Sequence, residues 1–138
     1  MERFTLVAVT ASNILGLSPI RSLISTNRFY GAGLVTSAVV ASVMMHATET
    51  KHKLPGLFLA KYSKIFLNID RAIAYMTGLY GIYLFYTNPV KTIWQVITPV
   101  VGAISAFIGE RTENLPLYTL AHITWHGLAY ESLCLVNH

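Results

Sequence analysis

Long uncharged runs alternate along the chain with short charged clusters. With His counted as neutral, the runs cover Phe4 to Ile20, Phe29 to Thr48, Ala72 to Val90, Thr92 to Gly109 and Asn114 to Tyr130, each 17 to 20 residues long. A helix rises about 1.5 Å per residue, so each run can cross a hydrocarbon layer about 30 Å thick with some help from its flanks. Terminal Lys and Arg side chains supply that help by snorkelling. The pattern predicts an all-α, polytopic transmembrane helix bundle of about five spanning helices, four if one run is re-entrant or removed, forming a single domain over residues 1–138. Two shorter runs, Leu54 to Ala60 and Ile65 to Ile69, flank Lys61 and Lys64 and predict an interfacial segment.

Punctuation residues refine these elements. Pro19 is expected to end or kink the first helix and Pro99 to kink the fourth. Pro55 and Gly56 stop the second helix, which is expected to run past Thr48 to about Lys53. The third helix is expected to start near Asp70, and Pro116 suits the first turn of the fifth. Gly31, Ala32, Gly33, Ser37, Ala38, Ala41 and Ser42 make the second helix small enough on its surface for close packing. Tyr80, Tyr83, Tyr86, Trp94, Tyr118 and Tyr130 read mostly as interfacial or packing aromatics.

Composition strengthens the membrane reading. Hydrophobic residues make up 54% of the chain and charged residues 12%, about half the share with which soluble domains cover their surfaces. The first run lacks the basic start of a signal peptide, since Glu2 stands beside the lone cation Arg3. Ala8, Thr10, Ala11 and Ser12 nevertheless resemble a cleavage region. Cys134 is the only cysteine, so neither an intramolecular disulfide nor a thiolate metal cluster is available.

Charge placement predicts orientation. Five crossings put Arg3, Lys51, Lys53, Lys61, Lys64, Arg71 and Arg111 on one side and Arg21, Arg28 and Lys91 on the other, seven cations against three. The positive-inside rule then places the N-terminus and the loop after the second helix in the cytosol. It also accounts for the net charge of +4 without a nucleic-acid partner.

A few polar residues fall where a spanning helix should have none. They are Ser42 and His46 in the second helix, Asp70 at the head of the third, and His122 and His126 in the fifth. His122 and His126 are four apart and share a helical face, as do Ser42 and His46. Helices two and five run in opposite senses, so all these positions fall toward the cytosolic leaflet. Taken singly, each has a plainer role: packed histidines, a helix cap at Asp70, a backbone-bonded serine at Ser42. Together they suggest a Zn2+ site with three protein ligands and an open fourth position.

Zinc in such a site brings the pKa of water to about 7. The segment His122-Ile123-Thr124-Trp125-His126 has no Glu after its first His, so it is not the soluble metalloprotease motif. Asp70 is the first candidate for general base, Glu49 a weaker one, and Ser42 a candidate donor to water or a developing oxyanion.

The order Ser42-Val43-Met44-Met45-His46, then Asp70, then His122-Ile123-Thr124-Trp125-His126 resembles the CREST superfamily of membrane proteins. That group includes alkaline ceramidases and progestin and adipoQ receptors. The resemblance covers Ser42 to Asp70 and the last helix. It implies Zn2+ held by His46, His122 and His126, with Asp70 and Ser42 around the reactive water, and ceramidase-like hydrolysis of a lipid amide or ester. The family has seven helices; removing two between Asp70 and His122 preserves the sense of the last. Homo-oligomerisation would supply the missing walls. Two other functions remain open: a zinc-bearing, non-catalytic membrane receptor or fusion scaffold, and a haem-b carrier with His ligands on facing helices.

Overall fold

The computed structural model describes residues 1–50, 54–88 and 91–137. Lys51, Lys53 and Val90, used above for element ends and sidedness, lie outside the described residues. Among those described, all regular structure is helical. The elements are α1 (Glu2–Ser12), α2 (Leu17–Ser25), α3 (Phe29–Thr48), α4 (Ser63–Thr87), α5 (Trp94–Arg111) and α6 (Leu115–Asn137). A 3-10 turn over Asn13–Gly16 joins α1 to α2. The combined rod Glu2–Ser25 and helix α3 are each long and apolar enough to cross a membrane.

The 3-10 turn follows from sequence. Pro19 has no N–H to give the carbonyl four residues back, so the α-ladder breaks just before it. Gly16 lies in that turn because a Cβ there would meet Val39 at 2.3 Å and the Tyr130 ring at 3.1 Å. The turn therefore brings the first rod tightly against α3 and α6.

Helix α6 is the hub. It packs on α1, α2, α4 and α5, while α3 packs on α1, α2 and α4. Two apolar clusters hold the ends of the bundle. One joins Leu23, Val35, Leu84, Leu133 and Val136; the other joins Leu6, Val9, Leu54 and Tyr118.

Several helix ends depart from the sequence expectation. α3 stops at Thr48, and Glu49 is already extended, with ψ 129°. The chain then doubles back, and the N–H groups of Leu57 and Phe58 donate to the carbonyl of Ala47. Gly56 makes this reversal with φ +67°, where side chains are strained. α4 starts at Ser63 rather than near Asp70, so Ile65 to Ile69 are helical and Asp70 is not a cap. Leu54 is 3% exposed, inside a core cluster rather than on an interface. Pro99 lies inside α5, and Pro116 sits in the first turn of α6, as expected. There the Asn114 side chain caps the helix by accepting from the Leu117 N–H at 3.0 Å.

Candidate metal centre

His46 occupies the last turn of α3, and His122 and His126 occupy successive turns of α6. Their rings fill the space between the two helices, edge to face. Ring centroids are 4.7 Å apart for His46 and His122, 5.2 Å for His46 and His126, and 5.6 Å for His122 and His126. One ligand nitrogen from each ring lies within 4.8 Å of the other two. Around zinc, with Zn–N about 2.0–2.1 Å, tetrahedral ligand nitrogens are about 3.4 Å apart. The cage is therefore wider than a closed zinc site, and its rings would draw together around an ion.

Hydrogen bonds assign the tautomers of two rings. Ser12 Oγ donates to the Val9 carbonyl at 2.6 Å. Its single proton is thereby used, so its 2.6 Å contact with His126 Nδ1 is a bond from the imidazole N–H. That leaves the His126 Nε2 lone pair free to bind a cation, with Ser42 Oγ at a long 3.4 Å. His46 Nδ1 donates to Glu49 Oε2 at 3.1 Å. His46 Nε2 is buried with no hydrogen-bond partner, although burying an acceptor unpaired costs about 1–3 kcal/mol. A cation bound at the cage would satisfy it. The donor set and this orphaned atom thus fit a metal ion.

Glu49 lies just past α3 and also accepts from the Tyr118 hydroxyl at 2.5 Å. Burial pushes its carboxyl up, but its interactions with His46 and the Tyr118 hydroxyl outweigh this and hold it below the ordinary value. At neutral pH it is a buried carboxylate beside the cage.

Asp70 stands in a cleft that adjoins the cage, and Ser42, whose Oγ is 3.4 Å from His126 Nε2, lines the same cleft. A cavity of about 540 Å³ has Ser42, Asp70 and His126 at one end and Gln95 at the other. It passes Gly78 and Pro99, and from Asp70 to Phe85 it follows α4 for about 22 Å. Its walls are mainly apolar. It lies between α4, which packs chiefly on α3, and α5, which packs on α6. An ion pair of Arg71 with Glu110 at 3.1 Å links the two helices across the cleft.

Structure thus brings together all five residues singled out in the sequence: three in the cage, two in the adjoining cleft. It adds Ser12, Glu49 and Tyr118. Glu49 had been only a weaker candidate on a continued helix, whereas it reaches His46 from an extended residue. Tyr118 is no interfacial aromatic: it is 1% exposed. Tyr130 is likewise buried, and its hydroxyl donates to Asn13 Oδ1 at 2.9 Å. Tyr118, His122, His126 and Tyr130 recur every four residues, a spacing that marks one face of α6 and could have pointed to Tyr118.

Fold and site together define an α-helical bundle with a buried three-histidine centre at the end of an apolar cleft. No protein-family model, curated protein or solved structure matches the chain.

Proposed function

We propose that the protein is a multi-pass membrane hydrolase that uses zinc to cleave a lipid amide or ester, as the resemblance to the alkaline ceramidases implies. The observation that carries this is the convergence of three imidazoles from two helices on one buried point, opening onto an apolar cleft. Bound there, zinc would supply Lewis acidity and a water activated near neutral pH. His46 and His126 hold their Nε2 atoms toward the cage through the Glu49 and Ser12 bonds described above. The cleft takes the acyl chain and keeps bulk water from the reacting bond. Asp70 accepts the proton of the attacking water on its carboxylate and returns it to the leaving nitrogen or oxygen. The Ser42 hydroxyl donates to the carbonyl oxygen as charge develops there. Zinc is favoured over haem because three rings packed edge to face leave no slot for a porphyrin between them.

Two measurements on detergent-purified protein test the reading. Metal analysis should find one zinc per chain, and His46→Ala, His122→Ala and His126→Ala should each lose most of it. Asp70→Ala should retain zinc while lipid turnover falls by about 10²–10⁴-fold, the usual cost of losing general acid–base help. Ser42→Ala should cost less, since one hydrogen bond is removed. Full metal in His46→Ala would overturn the ligand set. Zinc-loaded protein that turns over no lipid would point instead to the non-catalytic receptor or fusion-like role.

A further inference from the structure

Glu49 supplies no ligand atom to the cage, yet it is 7% exposed and holds two of the site's neighbours on a single oxygen. Its Oε2 accepts from His46 Nδ1 at 3.1 Å and from the Tyr118 hydroxyl at 2.5 Å. The Tyr118 ring lies on His122, with centroids 4.8 Å apart. One tyrosine therefore touches two of the three imidazoles, His122 through its ring and His46 through Glu49. Burying a carboxylate costs several kcal/mol unless it is well paired. Nor does it cap α3, because a carboxylate only accepts and has no proton for the last carbonyls of a helix; the loop N–H groups serve that of Ala47. An imidazole with no partner on its second nitrogen can swap tautomer or rotate, and either change removes the lone pair from the cage. A carboxylate on the N–H side prevents both and makes the ring a stronger donor.

We propose that Glu49 and Tyr118 are positioning residues of the metal centre: Tyr118 holds the Glu49 carboxylate, and the carboxylate fixes His46 with Nε2 turned into the cage. This rests on the metal reading of the three histidines. It gives the loop after α3 a part in metal binding and makes the two polar groups act in series, the Tyr118 hydroxyl through Glu49. Their effect is on affinity and coordination geometry, whether or not the bound metal catalyses anything.

The test is a zinc competition titration on the purified full chain, with the visible spectrum of bound Co2+ as a geometric readout. Glu49→Ala should weaken zinc binding by about 10–100-fold, the usual cost of losing such a partner, and should change the Co2+ bands. Tyr118→Phe keeps the ring on His122 and removes only the hydroxyl. It should weaken binding less, and its penalty should vanish in the Glu49→Ala background, where there is no carboxylate left to hold. Glu49→Gln replaces Glu49→Ala if the latter does not purify as folded protein. Wild-type affinity and an unchanged Co2+ spectrum in the Glu49 variant would overturn the proposal. So would an equal Tyr118→Phe penalty with and without Glu49. A wild-type chain that binds neither zinc nor Co2+ would overturn the metal reading along with it.

Discussion

Ser12 and His126 are 114 positions apart, and their side chains meet at 2.6 Å. No local spacing announces such a pair. His122 and His126 were legible because one helix brings them together four residues apart. His46 was legible because an imidazole inside an apolar run is costly to place there. Ser12 carries no such signal; small hydroxyl residues are common in buried helices and most bond their own backbone, as Ser12 also does to Val9. Its second bond matters more to the site. Ser12→Ala would leave the His126 Nδ1–H unpaired in a buried setting, a loss of about 1–3 kcal/mol, and would free the ring to swap tautomer. We expect zinc affinity to fall about 10-fold, with a lower melting temperature in the zinc-free chain. Competition titration and a thermal scan measure the two effects. Undiminished affinity would mean that the contact is only packing.

At the scale of elements, uncharged runs located every helix but misplaced some of their ends. The reason is physical. A run ends at the first charge, whereas a helix ends where its backbone hydrogen bonds do. α4 absorbs Lys64, Asp70 and Arg71 and so begins at Ser63. α3 does the reverse, stopping at Thr48 because the reversal through Gly56 closes its last carbonyls. The same earlier start of α4 moves Asp70 from a cap into the cleft wall. The cleft itself was not legible, since it depends on α4 packing chiefly on α3 while α5 packs on α6. Gly78 tests what the cleft is for. It lines the cavity, and a Cβ added there meets nothing within 4 Å. Gly78→Phe therefore has room to fold, and replacing a mid-helix glycine gains a few tenths to about 1 kcal/mol of helix propensity. The ring would occupy the middle of the cavity, well along α4 from Asp70. We expect zinc content to be unchanged and turnover to fall more for long acyl chains than for short ones. An unaltered chain-length profile would separate the cleft from the substrate.

At the scale of the whole molecule, the first rod and α3 are the helices that stand out among the described residues as long and apolar enough to cross a membrane, so crossings by α4, α5 and α6 are the open part of the expected topology. Their lengths suffice: α4, α5 and α6 have 25, 18 and 23 residues, or about 37, 27 and 35 Å. Their surfaces also favour it. Apart from the side chains that line the cleft, α4 exposes Tyr75, Met76, Leu79 and Tyr83, and α5 exposes Trp94, Val101, Ile104 and Phe107. Water tolerates no contiguous apolar patch of that kind on a monomer, whereas lipid or a second copy of the chain covers it without cost. Five crossings put Lys61, before α4, and Lys91, after it, on opposite sides. Cys134 is the only native cysteine, so Cys134→Ser gives a background for single reporters. In sealed vesicles of known orientation, a membrane-impermeant maleimide should label Lys91→Cys from the side opposite the cytosol. Lys61→Cys should react only after the membrane is opened, because the seven-to-three cation bias places it in the cytosol. Labelling of both from the same side would mean that α4 does not cross. Labelling on opposite sides but in the reverse sense would keep the bundle and invert it, and the metal centre would then face away from the cytosol.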